Sequence, residues 1–236
     1  MAQTTEKSAP QKAQPAIAKK TNMSAEELVE KYKRPVLIGF AVLVALVGAF
    51  AFYKYNQTQN DTVAQSEMYQ AVFFFEQDSL ELALKGIPAK EVKGLQEIAD
   101  EYSGTKAGSL ASFYTGVIYL KQAKFQEAID YLGKFDSKEG ILQTRAWCLM
   151  GDAYSELEDN DNAITYYKKA CEYKPNEQIT PTYLMKLGLA YELKSDWKAA
   201  AAAYDKIITD FPKSQDVTDA KKFKAKATAA SLSASE

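Results

Sequence analysis

Two cysteines and a small group of carboxylates are the side chains here whose types could do chemistry. Cys148 and Cys171 are the only cysteines, and there is no histidine anywhere. Two thiols without histidine are too few for a structural zinc site. Lack of histidine also removes the commonest general base. The thiols could pair in an oxidising compartment, and spacing leaves that open. The expected reading is two small buried hydrophobes, because Cys is commonly buried without a redox role. Glu158, Asp159 and Asp161 offer paired carboxylates, but they sit in a polar turn between two amphipathic patterns. There an acid caps the second helix and meets its positive N-terminus. No glycine-rich phosphate loop, GxSxG, HExxH or CxxC occurs. The chain is therefore expected not to be an enzyme, with no catalytic residue, cofactor or metal.

The two patterns flanking that turn run from Trp147 to Pro175. Gly151, Ala163 and Ala170 are small where helices must touch, and Trp147, Tyr154 and Tyr167 fill the holes between. Pro175 ends the second helix, since it has no N–H and disfavours helical geometry just before it. The pattern W-x2-(L/M)-G-x2-Y, followed by Ala, Tyr, Ala and Pro, resembles a tetratricopeptide repeat. One such unit cannot bury its own apolar face, so neighbours are expected.

The register supplies them. Gly116, Gly151 and Gly188 correspond, as do Tyr119, Tyr154 and Tyr191, and Ala128, Ala163 and Ala200. Tyr167 matches Tyr204, and Pro175 matches Pro212. The first copy is looser: Thr115 replaces Met150 and Leu187, and Gly140 stands in the proline position, which predicts a weaker second helix. Glu91 to Ser103 aligns with Ala200 to Pro212 as the second helix of a degenerate leading repeat. Ser214 to Ala230 reads as a closing helix. Val217, Ala220, Phe223 and Ala227 cover the last repeat, and Lys221, Lys222, Lys224 and Lys226 face water.

Upstream, residues 57–85 read as one helix, with Ala64, Met68, Ala71, Val72 and Phe75 at helical spacing. The Phe73-Phe74-Phe75 run is expected to pack on the following repeat or on a partner, and Gly86 and Pro88 to end the helix. Leu95, Ile98, Ala99 and Tyr102 form a further short segment ended at Gly104. Pro35 to Tyr53 is 19 residues without a charge. That is just enough to cross a hydrocarbon core of about 30 Å at about 1.5 Å per residue. Ala49-Phe50-Ala51 matches the small-x-small rule of a cleaved signal. The apolar run is long, however, and continues through Phe52 with no polar region before that site, so a stable signal anchor is the better reading. Residues 1–22 read as a disordered tail, and Ser24 with Glu27 as a capping box opening a short helix.

The expected organisation is all-α. A cytoplasmic tail covers residues 1–34, a transmembrane signal anchor 35–53, a helical juxtamembrane segment 54–90, a tetratricopeptide α-solenoid with its closing helix 91–230, and a tail 231–236. Charge sets the orientation: residues 1–34 carry 7 basic and 4 acidic side chains, and residues from Lys54 onward carry 22 and 27. The positive-inside rule puts the N-terminus in the cytoplasm and the repeats in the periplasm, as a single-pass inner-membrane protein. The acidic larger part argues against a nucleic-acid partner, and nothing points to a small-molecule substrate.

In tetratricopeptide arrays the first helices line the ligand-binding concave face. Carried over by register, that face holds Leu110, Arg145 and Thr182 at one level, then Phe113, Cys148 and Met185. Val117, Asp152 and Leu189 follow, then Leu120, Ser155 and Glu192. Arg145 is the only cation among them, so no basic carboxylate clamp is expected. The mixture suits extended polypeptide or a partner helix, or else packing against neighbouring repeats.

A lysine-rich tail, one signal anchor and a small extracytoplasmic repeat domain together resemble the YfgM-like proteins, ancillary subunits of the SecYEG translocon. Residues 107–175, preceded by Glu101-Tyr102-Ser103-Gly104-Thr105-Lys106, also look like tetratricopeptide proteins of the Bacteroidetes. The resemblance implies partners among Sec subunits, a membrane-anchored periplasmic chaperone of the PpiD type, or emerging secreted chains. The alternatives are a scaffold for an outer-membrane insertion or secretion complex, and a mitochondrial import receptor.

Overall fold

The computed structural model describes residues 25–234. The disordered tail expected over residues 1–22 and the capping-box Ser24 lie outside the described residues. The chain divides into two compact units, one ending at Tyr53 and one beginning at Lys54.

Helix α1 (Ala25–Glu76) runs for 52 residues. In the first unit the apolar side chains of α1 point outward on every side, Leu37, Phe40, Leu46 and Phe50 among them. The helix is long and apolar enough to cross a membrane.

The second unit is built from one motif used four times. Its elements after α1 are α2 (Leu80–Lys85), α3 (Leu95–Glu101), α4 (Lys106–Lys121), α5 (Phe125–Gly133) and α6 (Gly140–Glu156). Next come α7 (Asn160–Glu172), α8 (Thr180–Leu193), α9 (Trp197–Asp210) and α10 (Val217–Ser233). Between α1 and α2, α4 and α5, α6 and α7, and α8 and α9 lies the same turn. Asp78, Ala123, Glu158 and Ser195 take left-handed φ of 55°, 56°, 60° and 59°. The next residue's N–H donates to the carbonyl of Phe74, Tyr119, Tyr154 or Tyr191, at 2.9 Å every time. Four residues on stands Ala83, Ala128, Ala163 or Ala200, each fully buried. Glycine spacing shows three repeats, and turn geometry shows a fourth in front of them.

The leading repeat that Glu91 to Ser103 anticipated has its second-helix segment split by an insertion, with α3 falling inside that stretch. The expected single helix over 57–85 is broken at Gln77 to Ser79, and α2 then stops at Gly86. A two-residue antiparallel ladder, β1 (Gly86–Ile87) with β2 (Val92–Lys93), loops out around a tight turn over Pro88–Lys90. The chain returns to begin α3 against the end of α2, so closely that a Cβ on Gly94 would strike the Leu84 carbonyl. Lys93 pins the loop, meeting Glu67 of α1 at 3.1 Å and Glu101 of α3 at 2.6 Å. From Gln57 on, α1 docks on the repeats. Gln57 donates to the Gly104 carbonyl, Asp61 accepts from the Ala107 N–H at 2.8 Å, and Ala64 and Ala71 are fully buried. Phe75 of the Phe73-Phe75 run meets Tyr114 edge-on at 5.1 Å.

The glycine register has a steric cause. A Cβ on Gly151 would lie 2.6 Å from the Tyr167 ring, one on Gly116 2.6 Å from Leu132, and one on Gly188 would also enter the Tyr204 ring. Ala71 fills this position in the leading repeat, whose second helix breaks before the residue that would press on it. Helix α5 has nine residues against 13 and 14 in α7 and α9, the weak second helix expected of the looser copy. Helix α10 closes the array with Ala220 and Ala227 fully buried and Phe223 tilted on Tyr204 at 5.6 Å. Lys221, Lys222 and Lys226 are exposed as expected, although Lys226 also reaches Glu192 at 2.6 Å. Lys224 departs from the expectation, half-buried and reaching Asp205 at 2.6 Å.

Candidate partner-binding face

Helices α4, α6 and α8 are the first helices of the three downstream repeats, and their shared face carries the twelve register-matched residues. Their burial differs widely. Phe113 is 5% exposed against Phe135 at 5.2 Å, and Cys148 is 4% exposed, so both belong to the core and offer nothing to a ligand. Met185 is half-buried against the same core as Cys148. Leu110 is half-buried and borders a separate cavity of about 560 Å³ with Phe135 and Leu142. Arg145 and Thr182 are exposed, and Thr182 donates to Asp216 at 3.1 Å. Val117 is half-buried, and Leu189 is exposed.

Leu120, Asp152 and Ser155 are brought together from two repeats. With Phe125, Tyr167 and Lys186 they line a cavity of about 480 Å³. Asp152 is its polar centre. Lys186 of α8 donates to both carboxylate oxygens at 2.7 Å, and the buried Tyr167 hydroxyl donates to Oδ1 at 2.7 Å. One carboxylate therefore ties α6 to α7 and α8. Burial first, then the Asp152 charge, pushes the Tyr167 hydroxyl well above the ordinary tyrosine range. One repeat later Glu192 plays a similar part, accepting from Tyr204 at 3.0 Å and from Lys226 at 2.6 Å. The scattered acids of the face are thus internally neutralised. Lys186 and Lys226 were missed by register alone. Each lies 34 residues after its acid, one repeat length, and that spacing was the available signal.

Both cysteines are free and buried. Burial pushes the thiols of Cys148 and Cys171 up to about 12, so at neutral pH they stay protonated and are poor nucleophiles. In the polar turn, Asp159 accepts from the Asn162 N–H at 3.1 Å and Asp196 from the Ala199 N–H at 3.1 Å. Asp159 and Asp196 thus cap their second helices, which accounts for their position.

Tetratricopeptide-repeat family models match residues 144–177 and 183–214, covering α6 to α9. The chain carries tetratricopeptide repeats. Over 120 residues it is 27% identical to the uncharacterized protein ycf37 of Guillardia theta, a match over 48% of this chain and 65% of that one. The chain thus spans under two thirds of that curated relative's length. Among solved structures it is similar to the MamA protein, at 17% identity and a TM-score of 0.47, over 73% of this chain and 88% of the other. The fold is an all-α tetratricopeptide solenoid following a long apolar helix.

Proposed function

We propose that this protein is a membrane-anchored tetratricopeptide adaptor. Its repeats stand on the extracytoplasmic side of an inner membrane and bind a translocon-associated chaperone or emerging secreted polypeptide. The observation that carries the reading is the uncharged run Pro35 to Tyr53, preceded by Lys31, Lys33 and Arg34 and followed only by Lys54 before Lys85. The first-helix face supports the binding part. Leu120, Val117 and Leu189 offer apolar area, and Asp152 and Glu192 are already paired, so an apolar side chain can approach without stranding a charge.

Protease protection on intact inner-membrane vesicles and spheroplasts tests the placement. Cleavage of the repeats only from the outer side fits it, and cleavage from the cytoplasmic side rejects it. Affinity purification from gently solubilised membranes tests the partner. Co-purification of Sec subunits or a periplasmic chaperone fits it, and recovery of neither rejects it.

A further inference from the structure

A second surface lies on α1, on the side of the leading repeat away from α4. By register Phe73 corresponds to Ile118, Ala153 and Ala190. Those three are 0%, 0% and 2% exposed, whereas Phe73 is 50% exposed. Tyr69 corresponds to Tyr114, Leu149 and Lys186, all half-buried, yet is itself 79% exposed. The interior copies show what covers the position. Ile118 shares its core with Leu95 and Ile98 of α3, and Ala153 shares its core with Ile129 and Leu132 of α5. In each case the second helix of the preceding repeat contributes to that core, α3 packing on α4 and α5 on α6. No such helix precedes α1 among the described residues, and a groove of about 280 Å³ opens there, lined by Gln65, Met68, Tyr69, Val72, Phe73 and Glu76.

We propose that this groove docks one amphipathic α-helix of another polypeptide, seated where the second helix of a preceding repeat would lie. Two rings already fill part of the space, so the incoming face must be small and aliphatic, as Leu95, Ile98 and Ala99 are in α3. Glu76 closes one end and asks for a basic residue there. A second copy of this chain fits poorly. Its last helix, α10, is tied to α8 by pairs 34 residues apart, Thr182 with Asp216 and Glu192 with Lys226, just as α8 is tied to α6 by Asp152 with Lys186. It is therefore a first helix in register, and it presents exposed Lys221 and Lys222. By the same register Gln65, Met68 and Val72 match Leu110, Phe113 and Val117, so the groove adjoins the first-helix face where that face reaches α1. The exposed Tyr69 and Phe73 lie outside the twelve positions of that face, and capture from Tyr69 and from Leu189 reads the two proposals separately.

The test uses the full chain in native membranes, with the photo-crosslinking residue p-benzoylphenylalanine at Tyr69 and the captured site mapped by mass spectrometry. Adducts should fall in one helical segment of a different polypeptide, with alanine, leucine or isoleucine on the reacting side. A synthetic peptide of that segment should bind the full chain in lipid nanodiscs. Phe73→Asp should weaken that binding by about tenfold or more, with the melting temperature and any capture from Leu189 unchanged. Adducts to a second copy of this chain, to lipid alone, or to scattered sequences would overturn the proposal. So would absence of adducts, or peptide binding indifferent to Phe73→Asp.

Discussion

Lys186 of α8 grips both carboxylate oxygens of Asp152 on α6, each at 2.7 Å, across a boundary between repeats. Both side chains are partly exposed, at 37% and 25%, so the ion pair itself is worth little, up to about 1 kcal/mol. The acid matters more for the Tyr167 hydroxyl, which is buried and has Asp152 as its acceptor. Lys186→Met should lower stability by about 1 kcal/mol or less, and Asp152→Ala by about 1–3 kcal/mol. Urea denaturation of the two variants checks the order, and Lys186→Met proving the more damaging would contradict it.

The close approach of Gly151 to the Tyr167 ring gives a sharper expectation. Gly151→Ala places a methyl 2.6 Å from ring carbons and should cost about 1–3 kcal/mol, despite alanine's better helix propensity. Gly39→Ala meets nothing within 4 Å and should leave the melting temperature of the repeats unchanged. Calorimetry on both variants reads the contrast.

These two cases show what the sequence could and could not display. Gly151, Tyr154, Ala163 and Tyr167 recur because a bare backbone must admit a ring, so the repeats were readable as spacing. The leading repeat was legible only in its second helix, through Glu91 to Ser103, because in its first helix Ala71 replaces the glycine and the loop from Gly86 to Gly94 stretches the interval between copies. One local signal survived: Phe74 stands nine residues before Ala83, as Tyr119, Tyr154 and Tyr191 stand before Ala128, Ala163 and Ala200. The candidate face was less legible. Register predicts which helix face a residue occupies but not what the next repeat lays over it. Phe113 and Leu189 are both assigned to that face, yet one is core and the other is open. Pairing of Asp152 and Glu192 depended on lysines one repeat away.

The turn residues offer a stabilising change. Ala123 holds φ at 56°, a region that costs a residue with a Cβ about 1 kcal/mol. Ala123→Gly should raise stability by about 0.5–1 kcal/mol, whereas Ala128→Gly, inside α5 and fully buried, should lower it. Thermal melts of the two single variants check both signs.

Alkali should unfold the repeats through the thiols. Cys148 and Cys171 titrate near 9 when unfolded and are pushed up to about 12 by burial when folded. Between those values the folded state binds more protons, so stability is full below pH 9 and falls as pH rises towards 12. The slope is at most about 1.4 kcal/mol per pH unit for each thiol. Urea midpoints from pH 8 to 10 should show the fall, and Cys148→Ala with Cys171→Ala should flatten it over that window. Buried Tyr167, raised above its ordinary 10, adds a further loss of the same sign above that pH.

Leu189 projects from α8 at 42% exposure, within the face assigned to partner binding, and is the best-placed reporter of what that face holds. A photo-crosslinker at Leu189, activated in intact cells during protein export, should yield adducts with a Sec subunit, a periplasmic chaperone or nascent secreted chains. An exposed control position on the second-helix side, Thr165, should yield far fewer. Capture of cytosolic proteins, or equal capture from both positions, would contradict a polypeptide-binding first-helix face outside the membrane.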